Sequence, residues 1–104
     1  MDKKKAQRNI SIFTNRVKAR FHPKRVILFG SYAVGHPSAY SDVDIVVVSE
    51  QFARTPQEKR LDLLYDLTKD LTPDFHVFGF TTKEFDQLSP FTSISEAKHY
   101  GVAL

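Results

Sequence analysis

The residues whose types and spacing can do chemistry are Gly30-Ser31, a gap of ten residues, then Asp42-Val43-Asp44. On a strand, residues i and i+2 point to the same face, so Asp42 and Asp44 project together while Val43 and Ile45 turn into a core. Two adjacent acids on an otherwise apolar strand are costly unless a cation compensates them. Two oxygen ligands on one rigid face suit Mg²⁺ or Mn²⁺. A pair of such ions about 3.5–4 Å apart clamps both oxygens of an in-line phosphoryl or nucleotidyl displacement. Gly30 lets the backbone turn sharply and lets a ligand come close. The amides that follow open a short helix and form a phosphate-binding nest, and the Ser31 hydroxyl adds a donor. Metals on one strand and a phosphate cradle at the end of its neighbour are equipment for holding a nucleoside triphosphate and moving its nucleotidyl group. Singly, a strand-Gly-Ser turn is a weak signal and a lone Asp-x-Asp is usually two solvated acids. Their joint occurrence within residues 30–44, each beside an apolar run, carries the reading.

The elements around this stretch must hold it in place. Ala6, Ile10, Phe13 and Val17 recur at helical spacing and predict an amphipathic helix over 3–21, ended by His22-Pro23. Arg25 to Gly30 reads as a buried strand, Ser31 to Gly35 as one helical turn, His36 to Ser41 as a loop, and Asp42 to Val48 as a second strand. Thr55-Pro56-Gln57-Glu58 has the form of a capping box opening a helix to about residue 70, broken by Leu71-Thr72-Pro73. Asp74 to Phe80 predicts a third strand. Thr81 to Glu84 offers a second capping box, a last short helix includes Ile94, Ala97 and Lys98, and Val102-Ala103-Leu104 adds an edge strand. The order α-β-α-β-α-β-α-α-(β) predicts an α+β fold: a small mixed sheet of three or four strands in two layers, with helices mainly on one face.

The chain's 104 residues make one domain's worth, so residues 1–104 are read as a single domain with the basic N-terminal segment 1–22 as part of it. No cysteine is present, which excludes a disulfide framework, a thiolate zinc site and a cysteine nucleophile. The longest apolar run, Ile45 to Val48, is far short of the ~20 residues of a membrane span. The basic start is not followed by an apolar stretch, so a soluble cytoplasmic protein with no membrane association is expected. The net charge of +3 is uneven: residues 1–25 hold nine basic residues against Asp2 alone. A basic first quarter attracts a polyanion or an acidic partner, or is simply a solvated helix face. No aromatic platform interleaves these residues, which ranks nucleic acid low among the partners.

Gly30-Ser31 and Asp42-Val43-Asp44, with Ile27 to Gly35 and Ser41 to Val47 around them, resemble the signature of the DNA polymerase-beta-like nucleotidyltransferase superfamily, in particular its minimal nucleotidyltransferases. Thr82 to Phe85 and Lys98 to Leu104 are similar to the helix start and closing segment of those proteins. The resemblance implies transfer of a nucleoside monophosphate, AMP from ATP, to a hydroxyl acceptor. Asp42 and Asp44 would hold Mg²⁺ or Mn²⁺, and Gly30 and Ser31 the outer phosphates. It implies a third carboxylate on the next strand, as catalytic base or metal ligand. Asp74 is preferred on chemical grounds, because imidazole is a poor Mg²⁺ ligand; counting back from Phe85 points instead to His76, two residues away on the same strand face. Minimal members are paired with a small helical HEPN-type toxin, so the resemblance implies an antitoxin that adenylylates a tyrosine of that partner, in a homo- or hetero-oligomer. Two other readings stay open: an inactive nucleotidyltransferase-like module that neutralises its partner by contact, and RNA binding through the first helix. Tyr32 could cover a nucleotide or pack, and His36 could touch a phosphate or stay solvated.

Overall fold

Three strands that run to one end of a sheet set the frame for Gly30, Asp42 and Asp44. The computed structural model describes residues 3–38 and 40–104, so the first two residues of the expected basic segment lie outside the described residues. Helix α1 spans Lys3–Phe21 and buries Ala6, Ile10, Phe13 and Val17, the stripe that its periodicity predicts, and Phe21 at its end. Each of the four larger side chains contributes about 1.5–3 kcal/mol when fully buried. The helix stops at His22, whose φ of 46° takes it out of the right-handed α region that a residue before proline avoids.

Strand β1 (Arg25–Phe29) leads into the single-turn helix α2 (Ser31–Val34), and β2 (Val43–Val48) follows the connecting loop. A 3₁₀ turn over Glu50–Arg54 precedes helix α3 (Gln57–Asp66), strand β3 (Phe75–Phe80) and helix α4 (Thr82–Asp86). After a 3₁₀ turn at Ser93–Ser95, helix α5 (Glu96–Tyr100) and the short strand β4 (Val102–Ala103) close the described chain. The sheet order is β3-β2-β1-β4. β1 pairs antiparallel with β2 and β4, and β2 pairs parallel with β3, so the end of β1 and the starts of β2 and β3 lie at one end of the sheet. The fold is therefore a mixed α+β sheet of four strands, as the element order predicts.

Both faces of the sheet are covered. Val26, Leu28, Val43, Ile45, Val47, Phe75 and Val77 pack under α1 and α3. Ile27, Phe29, Val46 and Val48 meet Phe85 of α4 and Ala97 of α5 on the other side. The long helices share one face, and only short helices cover the other. No described helix is long and apolar enough to cross a membrane.

Two sequence expectations differ from the structure, each for a tertiary reason. Thr55 does not cap α3: the N-cap is Pro56, with no side-chain hydrogen bond. Thr55 instead closes the 3₁₀ turn through its N–H to Phe52 O at 3.0 Å, and its carbonyl accepts from Arg60 Nε at 2.7 Å. Helix α3 ends at Asp66 rather than near residue 70, because its last carbonyls are claimed elsewhere. Thr68 Oγ1 donates to Tyr65 O at 2.9 Å, and Arg16 Nη1 reaches across from α1 to Leu67 O at 2.9 Å.

The second capping box forms as its sequence predicts, with Thr81 and Glu84 bonding each other's backbone. Glu84 also faces Arg60, and the hydrogen bond from that guanidinium holds its carboxyl below the usual carboxylate range. A lowered folded value makes the stabilisation complete above the unfolded value of 4.5 and removes it as the pH falls through the lower folded value. Thermal unfolding at pH 7 and pH 3.5 is expected to show a steeper acid loss for the wild type than for Glu84→Gln. Equal slopes would assign the acid sensitivity to other groups.

Candidate active site

The sharp turn after β1 exists because residue 30 is glycine. Its φ of 73° and ψ of −155° lie in a region that only glycine enters readily. A Cβ there would also overlap the Asp44 carboxylate. Helix α2 then starts at once. Ala33 and Val34 donate to Gly30 O at 3.0 and 3.2 Å, and the amides of Ser31 and Tyr32 head the turn with no side chain from Gly30 to cap them. Gly35 ends the turn in the left-handed conformation. Ser31 is half-buried at its start.

Asp44 pairs in register with Phe29 of β1 and with His76 of β3. Asp42 lies just ahead of β2, whose Val43 N–H bonds Asp74 O at 2.9 Å. The two carboxylates converge on the His76 imidazole: Nε2 is 3.4 Å from Asp42 Oδ2, and Nδ1 is 3.5 Å from Asp44 Oδ1. The Asp44 carboxyl is pushed up, first by burial, and further by the charges of Asp42 and Glu96; His76 acts the other way. Tyr32 is also raised, by burial and then by the Asp42 charge, so its phenol stays neutral beside the acids.

The structure thus brings together Gly30, Ser31, Asp42, Asp44 and His76. Asp74 sits one step ahead of β3, exposed, in a groove it shares with Tyr65, Thr68 and His76. Among the described residues its carboxylate makes no hydrogen bond or ion pair, and the side chain within reach of both acids is His76. His36 is exposed in the loop, with its N–H on Ser31 O at 3.1 Å. Tyr32 packs against the α1 side of the core. Glu96, at the start of α5, was not singled out by the sequence. Its position far along the chain carries no spacing signal, and only the packing of α5 on β1 sets its charge within range of Asp44.

The donor set can be weighed against a divalent cation. The two imidazole nitrogens face different carboxylates, and among the described residues no three His, Cys, Asp or Glu side chains converge as a metal site. Asp42 and Asp44 alone supply two oxygens, on which like-charge repulsion already falls. Mg²⁺ is commonly held by one or two carboxylates, with water and substrate phosphates completing the octahedron. The pair fits that role.

Gly30→Val tests the turn. The strained φ and the overlap with Asp44 are expected to cost more than tenfold in nucleotide affinity, read by calorimetric titration with Mg·ATP. Ser31→Ala, which removes one hydroxyl, is expected to cost less, about 1–2 kcal/mol. An unchanged affinity in Gly30→Val would remove the cradle from the site.

A family model described as nucleotidyltransferase domain matches residues 10–101. Among solved structures, a candidate nucleotidyltransferase from Sulfolobus solfataricus superposes with a TM-score of 0.70 at 17% sequence identity, over 97% of this chain and 80% of that one. At that identity the likeness speaks for the fold. None of the curated proteins matches the chain. The family match spans the cradle, both acids and the closing helix, so the chain belongs to the nucleotidyltransferase domain family.

Proposed function

We propose that this nucleotidyltransferase domain transfers AMP from ATP to a hydroxyl of a helical HEPN-type partner, with a tyrosine as acceptor, and acts as the antitoxin of the pair. The observation that carries the transfer reading is the contact between Gly30 and the Asp44 carboxylate, which leaves no room for a side chain between cradle and acids. The partner and its tyrosine rest on the resemblance of the sequence to minimal nucleotidyltransferases.

In this reading Gly30 and Ser31 hold the outer phosphates and orient the triphosphate. Asp42 and Asp44 would hold the divalent ion, which supplies charge neutralisation at the phosphates when bound. The acceptor oxygen attacks the α-phosphorus, and the bond from that phosphorus to the α–β bridging oxygen breaks. Pyrophosphate departs, and the acceptor proton passes to a base on the β3 side, His76 or Asp74. Most of the rate comes from position and charge rather than covalent chemistry by the protein.

The test is transfer of label from α-³²P-ATP, with Mg²⁺, to the purified product of the adjacent reading frame. Label on a partner tyrosine supports the proposal. ATP that stays intact with partner and metal present would leave the second reading, neutralisation by contact alone. That reading is favoured by the imidazole, rather than a third carboxylate, that faces Asp42 and Asp44.

A further inference from the structure

In-line displacement fixes directions at this site. The sheet order places the cradle at the end of β1, the acids at the start of β2 and His76 at the start of β3. If the pyrophosphate leaves toward β1 and the α-phosphorus lies over the acids, the attacking oxygen must come from the far side, across β3. On that side the structure has a groove. Helix α3 ends there, the chain turns, and β3 begins, enclosing about 420 Å³. His76 forms its wall toward the acids, Tyr65, Thr68, Lys69 and Asp74 supply its other polar groups, and Leu71 and Phe75 its apolar ones.

The geometry points to this groove as the subsite for the nucleotide acceptor, and to a neutral or cationic hydroxyl compound or peptide, not a nucleic-acid end, as its occupant. The inference rests on the nucleotidyl-transfer reading and adds where the acceptor sits and what charge it carries. Each wall residue bears on that choice. Tyr65 Oη accepts the Val77 N–H at 3.3 Å, so its own proton is left to donate to a ligand. Thr68 Oγ1 gives its proton to Tyr65 O at 2.9 Å and keeps its lone pairs for a donor. Lys69 is held by Asp66 at 3.1 Å, which cancels its charge locally. The Asp74 carboxylate is then the uncompensated charge, and it repels a phosphate backbone while it attracts a cation or a hydroxyl proton. The volume is at the small end of ligand pockets and suits one side chain or a small polyol.

The experiment maps amide shifts of the ¹⁵N-labelled full chain with Mg²⁺ and α,β-methylene-ATP. Three probes are added separately: N-acetyl-Lys-Tyr-Lys-amide, N-acetyl-Glu-Tyr-Glu-amide and the hexanucleotide rU6. The cationic peptide is expected to shift Thr68, Lys69, Asp74 and His76 in a saturable way, at least about fivefold more tightly than the acidic peptide, with no such shifts from rU6. Tyr65→Phe, which removes only the phenol oxygen, is expected to weaken the cationic peptide about threefold or more while nucleotide shifts at Gly30 and Ser31 persist. The inference is overturned if the cationic peptide maps elsewhere or nowhere, if rU6 or the acidic peptide binds the groove as well or better, or if Tyr65→Phe changes nothing. Loss of the nucleotide shifts in the wild type would instead sink the transfer reading, and the peptide titration without nucleotide would still report on the groove.

Discussion

Asp44→Asn is expected to lower nucleotidyl transfer by about 10³-fold or more while leaving the protein at least as stable at neutral pH. The two effects have opposite signs for one reason. Burial, Asp42 and Glu96 push the Asp44 carboxyl up, so the folded state holds this charge at a cost. A raised carboxyl value means that stability is lost as the pH rises through it, so the cost belongs to the ionised form. Asparagine has the same shape and no charge, so the cost disappears, and with it the carboxylate oxygen proposed to hold the cation. In the proposed reaction the loss of a cation-holding carboxylate removes charge neutralisation at the phosphates, an effect at least as large as the ~10²–10⁴-fold typical of a lost acid–base group. Activity is read by the label-transfer assay, and stability by thermal unfolding in the presence of a chelator. Retained transfer in Asp44→Asn would disprove the site, and a large fall in melting temperature would assign Asp44 a structural role instead.

The largest expected effect on stability lies away from the site, at Arg60. This arginine is 4% exposed, yet it gathers four elements. Its Nε donates to Thr55 O at 2.7 Å, Nη2 to Phe52 O at 2.7 Å and Nη1 to Gly79 O at 3.2 Å. Both ends of the guanidinium meet Glu84, at 2.7 and 3.2 Å, and the group lies over the Phe52 ring. Arg60→Ala takes a charged donor from Thr55 O, Phe52 O, Gly79 O and the Glu84 carboxylate at once. Glu84 keeps 42% side-chain exposure, so the loss comes mainly from the hydrogen bonds and packing of the buried guanidinium, about 3–5 kcal/mol in all. For a chain of this size that corresponds to a fall of roughly 15–30 °C in melting temperature. Arg60→Lys is expected to recover only part of it, because one ammonium cannot reproduce the planar fork. Denaturant unfolding measures both variants. A loss below about 1 kcal/mol in Arg60→Ala would mean that the network contributes little.

The sequence disclosed its buried residues because they obey local periods. The α1 stripe is read from a spacing of 3.6, β1 and β2 from continuous apolar runs, and the Thr81–Glu84 box needs only neighbours three residues apart. Arg60 was invisible for the opposite reason. A charged residue in an amphipathic helix reads as solvent-facing, and its partners at Phe52, Gly79 and Glu84 come from separate elements. The length of α3 and the failure of Thr55 to cap it have the same origin, since side chains from α1 and from within α3 take the backbone groups that local rules assign to the helix.

For the site, the sequence by itself determined what is covalently close. Gly30 and Ser31 are adjacent, and Asp42 and Asp44 are two residues apart, so strand pleat alone puts the acids on one face. It could not determine what crosses from β3. Asp74 and His76 share a strand face, and local spacing is the same for either. The parallel register of β2 with β3 decided the matter by setting His76 opposite Asp44, and it left Asp74 at the mouth of the neighbouring groove. A one-residue slip in a parallel pair reverses every side chain, and hydrophobic burial of Val77 and Phe75 under α1 and α3 forbids that slip. The charge of Glu96 near Asp44 has the same status: it comes from the docking of α5 on β1, a long-range contact that no local pattern encodes.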